Sequence, residues 1–294
     1  MKIRFGVGLG PETSPSELVE VIDALEAAGA DSVWFSELVY SEAVDPFIGM
    51  AIALARTSRL KVGTSVAVLP GGRHPLLVAK QLASLAAIGP KRVLPAFGLR
   101  SATPAERDIF TVPDGKRAAV FDESLQLLRI ALQQRPADFA GEFFTVHGAD
   151  IGAVPDPPMD IWLGGSAPAA LRRIGRLADG WLGSFLTPAE AGRAREAIQA
   201  EAASAGREIE ADHFGISLAV AEGGLPDRLA AAVRERRPDV DPRELVAGDW
   251  DELHRQIDDY VAAGLSKFVI RPAGQRSTAE FIARFVLEML PRQN

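Results

Sequence analysis

The stretch from Asp160 to Trp181 carries the strongest sign of chemistry in this sequence. Its apolar start, Ile161–Leu163, is typical of a short strand, and a helical pattern with Pro168 in its first turn soon follows. Glycines let a ligand approach the backbone closely, and the first N–H groups of a helix point towards that ligand. The segment therefore predicts a seat for the phosphate of a cofactor, although a plain turn between strand and helix is equally consistent with it. The residues expected to form the seat are Gly164, Gly165, Ser166 and Ala167.

Acid or base chemistry is indicated at the end of a second strand-like run, Ser32–Ser36. Glu37 follows this run directly, and Tyr40 lies three residues further on. A carboxylate or a phenol in this place can move a proton if a buried setting shifts its pKa. The alternatives are a solvated loop carboxylate for Glu37 and a lining or core position for Tyr40. Both residues are our candidate catalytic groups.

Arginines and one histidine mark other strand ends. Arg100 follows the run Arg92–Gly98 and could bind a phosphate or a carboxylate, although an exposed surface position is equally consistent with the sequence. Arg271 and Arg276 flank the last strand-like run and are candidate contacts for an anionic substrate, with solvated loop arginines as the alternative. His74 opens a helical run and is a further candidate substrate contact, although capping of the loop or helix is the simpler interpretation.

The remaining histidines, His147, His213 and His254, are isolated in the sequence and are interpreted as surface or capping residues. No two histidines have the His-x-x-x-His spacing of metal ligands, and the sequence contains no cysteine. We therefore expect no metal site, no disulfide and no thiol nucleophile.

Strand-like and helix-like segments alternate along the chain, which predicts a parallel sheet. Eight strands in 294 residues favour a (β/α)8 TIM barrel with insertion regions. A doubly wound open sheet is the alternative, but Gly6–Gly10 lacks the third glycine of a dinucleotide-binding fingerprint. The predicted strands are Ile3–Leu9, Ser32–Ser36, Leu60–Leu69, Arg92–Gly98, Ile161–Leu163, Gly180–Phe185, Phe214–Val220 and Lys267–Arg271.

A barrel places its active site at the carboxyl ends of the strands, where the candidate residues above fall. In the first strand, Gly6 and Gly8 would face the lumen and make room for a ligand at its mouth. The amphipathic segment Leu225–Arg237 would cover that mouth. The predicted helices are Ser14–Ala28, Asp45–Thr57, Pro75–Leu85, Arg117–Gln133, Pro168–Ala178, Pro188–Ala205, Trp250–Ala263 and Thr278–Leu290, with a hairpin at Phe139–Val146.

Composition narrows the class of protein. A hydrophobic content of 47% allows a full core, and a net charge of −7 without a basic block argues against nucleic-acid or anionic-membrane partners. The first residues run straight into a strand-like pattern and do not resemble a signal peptide, and no apolar run has membrane-spanning length. We expect a cytoplasmic enzyme that acts on a small molecule.

Taken in order, the strand ends resemble the luciferase-like monooxygenase superfamily, and more closely its branch that uses the deazaflavin coenzyme F420. The ordered set of stretches carries this resemblance over nearly the whole chain. The stretches are Trp34–Glu37, Gly63–Val66, Arg73–Pro75, Lys91–Val93 leading to Gly98, Gly164–Pro168, Ala178–Trp181 and Ala263–Leu265.

The resemblance implies one luciferase-like TIM-barrel domain over residues 1–294, with insertions at approximately 99–158 and 221–262, and a homodimer. It implies a flavin-type cofactor across the barrel mouth, backed by a bulge at a non-prolyl cis peptide bond between Ser65 and Val66. Glu37 would hydrogen-bond the ring system of the cofactor. The other residues implied to contact the cofactor are Thr64, Ser65, Val66, Gly98, Leu99 and Arg100.

Two positions depart from the family pattern. Leu38 stands where relatives often have a histidine that donates or accepts a proton, and Ser101 stands where they sometimes have a catalytic acid. The usual acid/base groups are therefore absent, which argues against sugar-phosphate dehydrogenase chemistry.

The first functional hypothesis is an F420-dependent oxidoreductase that transfers a hydride to or from a small organic substrate. The alternatives are an FMN-dependent monooxygenase that uses reduced flavin and O2, and a flavin-binding barrel without catalysis. An unrelated phosphate-binding aldolase or isomerase is weaker, because the strand lysines, Lys61 and Lys267, lie near the amino ends of their strands, away from the expected site.

Overall fold

The computed structural model describes residues 2–11, 13–101, 103–274 and 277–294, so the predicted substrate contact Arg276 lies outside the described residues. The strands are β1 (Arg4–Leu9), β2 (Ser32–Phe35), β3 (Lys61–Thr64), β4 (Ala67–Val68), β5 (Val93–Leu94), β6 (Ala96–Gly98), β7 (Ala137–Ala140), β8 (Thr145–Ala149), β9 (Trp162–Gly164), β10 (Gly180–Ser184), β11 (Phe214–Val220), β12 (Val246–Ala247) and β13 (Lys267–Pro272). The helices are α1 (Leu18–Ala28), α2 (Pro46–Arg56), α3 (Pro75–Ile88), α4 (Arg117–Gln133), α5 (Pro168–Leu177), α6 (Pro188–Ser204), α7 (Asp227–Arg236), α8 (Pro242–Leu245), α9 (Trp250–Ala262) and α10 (Thr278–Met289). Short 3₁₀ helices cover Pro104–Ile109 and Leu290–Arg292.

Parallel strand pairs run around a complete barrel. β3 and β4 are two halves of the third barrel strand, and β5 and β6 are two halves of the fourth. On one side β1 pairs with β2, β2 with β3 and β3 with β5. On the other side β4 pairs with β6, and the ladder continues through β9, β10, β11 and β13 back to β1. The predicted TIM barrel is confirmed, and all the predicted strands belong to it.

Several helices begin where the sequence supplies a capping side chain and a suitable first turn. Asp45 accepts hydrogen bonds from two amides at the start of α2, and Thr187 with Glu190 forms a capping box at the start of α6. The first helix starts later than predicted, at Leu18 and not at Ser14. The hydroxyl of Ser14 bonds to Ser16 instead of capping a helical amide, and residues 15–17 form a turn.

Large side chains fill the lumen of the barrel below its mouth. Trp34, Trp162, Leu182 and Val269 form a buried cluster there, separate from the larger core between the strands and the helices. The neighbouring glycines make room for protein side chains: a Cβ on Gly6 would lie 2.4 Å from Ser32 Oγ. The prediction that Gly6 leaves space for a ligand is therefore wrong, because aromatic and polar side chains of the barrel occupy that level of the lumen.

Buried charges lie at the amino ends of the strands, opposite the mouth. Asp31 pairs with Lys267 at 2.7 Å and with Lys61 at 3.2 Å, and Arg4 lies 3.7 Å away. The side chains of Asp31 and Lys267 are 6% and 7% exposed. Both strand lysines therefore belong to a structural ion cluster at the closed end of the barrel.

The segment Leu225–Arg237 contains α7, which packs beside the mouth. Leu225 and Leu229 pack against a buried cluster that also contacts Phe185, directly after β10. Arg237 donates to the carbonyl oxygen of Phe185 at 2.6 Å, and Arg236 lies over its ring. The predicted hairpin is β7 paired with β8 in an antiparallel sheet of its own.

Candidate active site

The third barrel strand is interrupted by Ser65 and Val66, whose peptide bond is cis although neither residue is proline. This confirms the bond that the family resemblance implied, and we call these two residues the platform. The side chain of Val66 lies in a slot between two glycines. A Cβ on Gly98 would lie 2.7 Å from Val66 Cγ2, and one on Gly164 would lie 3.1 Å from Val66 Cγ1. The two glycines therefore provide the space that Val66 needs.

Thr64 and Ser65, both predicted cofactor contacts, bond to neighbouring strands. Thr64 is fully buried, and its hydroxyl donates to Ala96 O at 2.6 Å and accepts from Ala96 N at 2.8 Å. Thr64 therefore joins β3 to β6 where the regular ladder is interrupted. The amide of Ser65 donates to Phe35 O at 2.8 Å, which joins the platform to β2.

The guanidinium of Arg271 lies across the barrel mouth beside the platform. It donates to Ser65 Oγ at 2.5 Å and to Ser217 Oγ at 2.9 Å, and more weakly to Leu9 O at 3.3 Å. A Cβ on Gly8 would lie 2.7 Å from Arg271 Cζ. The prediction that Gly8 makes room for a ligand is therefore wrong, because the side chain of Arg271 fills that space.

Glu37 lies on the other side of the platform and is 5% exposed. Its Oε2 accepts a hydrogen bond from Val68 N at 2.6 Å, and its Oε1 pairs with Arg73. Arg73 also pairs with Asp45 at 2.9 Å and lies over the ring of Phe47. The Glu37 carboxylate thus joins the end of β2 to β4 and to the loop before α3.

The predicted phosphate seat has the expected strand–turn–helix geometry. β9 ends at Gly164, and α5 begins after Ala167, which caps the helix without a side-chain hydrogen bond. Gly165 has a φ of +117°, a conformation that favours glycine, and its carbonyl oxygen accepts from Trp181 Nε1 at 2.9 Å. Gly165, Ser166 and Ala167 are exposed. The start of α5 therefore offers exposed backbone donors at the barrel mouth.

The loop after β6 places its two predicted contacts differently. Leu99 is half-buried and packs against the main core, whereas Arg100 is exposed. Burial and the nearby charge of Arg100 lower the pKa of Arg117, at the start of α4, and Arg117 donates to Phe110 O at 2.7 Å. Arg100 and Arg117 thus place positive charge at the edge of the mouth.

A buried carboxylate that sequence reasoning missed joins two loops at the mouth. Glu106 is 1% exposed; it accepts from Ser101 Oγ at 2.5 Å and from the amide of Tyr40 at 2.9 Å. The spacing Thr103-Pro104-Ala105-Glu106 is typical of a capping box, but Thr103 makes no side-chain cap hydrogen bond and Glu106 bonds to Ser101 and Tyr40 instead, so this signal would have given Glu106 the wrong partner.

The other candidate residues have separate surroundings. The side chain of Tyr40 is 64% exposed, whereas that of Glu37 is buried, so the two candidate catalytic groups differ in their access to solvent. His74 is the N-cap of α3, where Nδ1 accepts from Leu76 N at 3.2 Å, and its ring meets Phe144 edge-on. Its capping interpretation is thus confirmed.

Two further features of the described residues bear on function. Glu210, Asp212 and His213 have potential metal-ligand atoms within 4.8 Å of one another. They precede β11 and so lie at the end of the barrel opposite the platform. Over the part of the chain that the structure describes, every helix is too short or too polar to cross a membrane.

A family model described as luciferase-like monooxygenase matches residues 1–259 of the chain. The chain is also similar to an F420-dependent glucose-6-phosphate dehydrogenase of Beutenbergia cavernae, with 27% identity over 99% of this chain and 97% of that protein. The corresponding enzyme of Kineococcus radiotolerans is 23% identical over 95% of this chain and 93% of its own.

Solved structures with the same fold include enzymes of two kinds. An F420-dependent secondary alcohol dehydrogenase in complex with an F420–acetone adduct superposes with a TM-score of 0.84 at 18% identity over the whole of both chains. The oxygenating constituent of 3,6-diketocamphane monooxygenase from Pseudomonas putida, in complex with FMN, superposes with a TM-score of 0.78 at 16% identity over 100% of this chain and 99% of that one. These likenesses establish the fold.

Proposed function

The chain belongs to the luciferase-like monooxygenase family, and we propose that it is an F420-dependent oxidoreductase that transfers a hydride to or from a small organic substrate. The observation that carries the proposal is the arrangement at the mouth. The platform, with Val66 in its slot between Gly98 and Gly164, lies beside the exposed start of α5. Relatives that match nearly the whole chain are F420-dependent dehydrogenases, which supports the choice of coenzyme.

The residues present fit a coenzyme with a planar ring system and a phosphate. Val66 is only half-buried in the slot between Gly98 and Gly164, which leaves part of its side chain open to a ring, and Gly165–Ala167 offer backbone donors to an anion. When bound, the coenzyme supplies the hydride chemistry. The chain would hold the phosphate at the seat and the ring against the platform.

Tyr40 lacks the buried setting expected of a proton-transfer group. Its phenol is exposed on the loop after β2, while its amide is fixed by Glu106. The carboxylate of Glu37 already accepts from Val68 and pairs with Arg73, so we assign it to holding β4. Arg100 and Arg117 would attract an anionic part of the coenzyme or substrate.

An FMN-dependent monooxygenase is the second candidate. A structural neighbour binds FMN, and a seat for phosphate next to a platform for a ring suits FMN equally well. The two functions differ in the ring system that is bound and in the need for O2.

A side-by-side titration of the purified protein with F420 and FMN tests this choice. Trp34, Trp162 and Trp181 lie in or beside barrel strands, so quenching of their fluorescence reports ligand binding. We expect saturable binding of F420 with a dissociation constant in the micromolar range or below. Selective binding of FMN, with O2 uptake by the reduced complex, would establish the second candidate, and binding of neither ligand would refute both.

We also propose that the chain is one domain and forms a homodimer. Packed helices α2 and α3 carry apolar side chains on their outer surface, and Ile48, Leu77 and Ile88 are each more than half exposed. On α2, Ala51, Ile52 and Ala55 continue this apolar stripe at helical spacing. An apolar helix surface of this kind supports a symmetric contact with a second copy.

A further inference from the structure

We propose that Arg271 is a positioning residue: it holds the platform from inside the barrel and thereby fixes the surface against which the coenzyme binds. The proposal rests on the proposed function, because it places the coenzyme at Ser65 and Val66. It gives Arg271 a role that differs from the anionic-substrate contact predicted from the sequence.

The guanidinium bridges three barrel strands through different nitrogen atoms. Nε donates to Ser217 on β11, and Nη1 donates to Leu9 at the end of β1. Nη2 donates to both the hydroxyl and the carbonyl oxygen of Ser65, at 2.5 and 3.4 Å. Because a guanidinium is planar and rigid, its bonds to β1 and β11 determine where Nη2 meets Ser65.

The segment that contains the platform is held at both ends by charged side chains. Arg271 bonds to its first residue, Ser65, and Glu37 accepts from the amide of Val68 at 2.6 Å. Between these bonds, the side chain of Val66 lies in the slot formed by Gly98 and Gly164. Loss of the Arg271 bonds would therefore release the hydroxyl and the carbonyl group of Ser65 from β1 and β11. The Ser65 amide would keep its bond to Phe35 O, and Val68 would stay bonded to Glu37.

The packing around Arg271 gives independent support. A Cβ at Gly8 would lie 2.7 Å from Cζ and 2.8 Å from Cγ of Arg271, so residue 8 must lack a side chain while the arginine has this conformation. The contact involves the inner part of the side chain as well as its end. The glycine at position 8 of β1 therefore leaves room for the Arg271 side chain from Cγ to the guanidinium.

The test compares Arg271→Met and Arg271→Lys with Arg92→Met. Arg92 is a matched control, because its guanidinium also bonds to a hydroxyl, that of Thr57, and to the carbonyl oxygens of Leu54 and Leu60. It lies at the amino end of β5, away from the platform. Hydrogen exchange of the unliganded protein over residues 65–70, beyond the bonds that Arg92 makes beside residues 60–62, and the dissociation constant for F420 are measured for each variant.

We expect Arg271→Met to accelerate exchange over residues 65–70 and to raise the dissociation constant at least about tenfold, with partial recovery in Arg271→Lys. Arg92→Met should lower the melting temperature while leaving F420 affinity and exchange over this segment unchanged. If Arg271→Met does not fold, Ser65→Ala removes the 2.5 Å bond and should give a smaller change of the same kind.

The outcomes separate the two proposals. Wild-type affinity and exchange in Arg271→Met, or in Ser65→Ala where that variant replaces it, would overturn the positioning role and leave the proposed function standing. An equal loss of affinity in Arg92→Met would also overturn it, because the effect would then follow from stability alone. Absence of F420 binding by the wild-type protein would refute the proposed function and the positioning role together.

Discussion

The side chain of Val66 occupies the space that a side chain at Gly98 would need, with only 2.7 Å between Val66 Cγ2 and the Cβ of a substituted residue 98. Gly98→Ala should therefore displace Val66 and weaken F420 binding about tenfold or more, with a loss of about 1–3 kcal/mol in the free energy of unfolding. Fluorescence titration and denaturant unfolding measure these effects. Gly192→Ala in α6 is the control, because the added Cβ would lie 3.4 Å from Ala263 Cβ, an ordinary van der Waals distance. Unchanged affinity in Gly98→Ala would show that Val66 does not define the cofactor surface.

A carboxylate at residue 165 should repel the phosphate at the seat. Gly165 has a φ of +117°, so any substitution strains the backbone, and Gly165→Asn serves as the control of nearly equal size without the charge. We expect Gly165→Asp to abolish F420 binding and Gly165→Asn to retain part of it, with the difference between them reduced by added salt. Equal affinities in the two variants would place the phosphate elsewhere.

Asp31 should make the stability of the protein sensitive to acid. Burial opposes ionisation, but the charges of Lys267 and Lys61 outweigh it and hold the pKa of Asp31 below its ordinary value of 3.8. The stabilising contribution is therefore complete above pH 3.8 and is lost as the pH falls through the lowered pKa. Asp31→Asn should cost about 3–5 kcal/mol at neutral pH, because Lys267 stays buried without its counterion.

The measurement for Asp31 is the free energy of unfolding against pH for the wild type and Asp31→Asn. The difference between the two proteins should shrink on acidification. Asp23→Asn removes the partner of Arg56 in an exposed pair and should have little effect at any pH. A difference between the wild type and Asp31→Asn that is independent of pH would contradict the charge-based account.

Glu106 should couple the two mouth loops energetically. Glu106→Ala leaves the amide of Tyr40 and the hydroxyl of Ser101 without this acceptor. Each of the two lost hydrogen bonds should lower the free energy of unfolding by about 1–3 kcal/mol. A double-mutant cycle with Ser101→Ala and Glu106→Gln should give a coupling energy of about 0.5–3 kcal/mol. Additive effects within error would show that the Ser101–Glu106 bond contributes nothing to stability.

Ile48→Glu should convert the proposed homodimer into a monomer, because it places a charge in the apolar outer surface of α2. Light scattering after gel filtration measures the mass of each form. Leu287→Glu on α10 is a suitable control, since Leu287 is 67% exposed on a different helix. A dimer that survives Ile48→Glu would place the contact elsewhere, and a wild-type monomer would refute the dimer itself.

Most of the fold was predictable from local sequence patterns. The barrel strands were identified by short apolar runs, and helices such as α2 and α6 by their capping residues and first-turn prolines. The strand–turn–helix at Gly164–Ala167 was also predictable, because all its determinants are neighbours in the sequence. The cis bond at the platform followed from the family resemblance and was confirmed.

Tertiary structure decided what the charged and small residues at the mouth contact. Arg271 meets Ser65 across 206 positions of the sequence, and Glu106 meets Tyr40 across 66. Such contacts depend on how the closed barrel brings distant strands and loops together. The periodicity of residues within one strand does not determine this. Gly8 illustrates the difference: the sequence alone placed it on the lumen side, but only the closed barrel shows that Arg271 fills the space beside it.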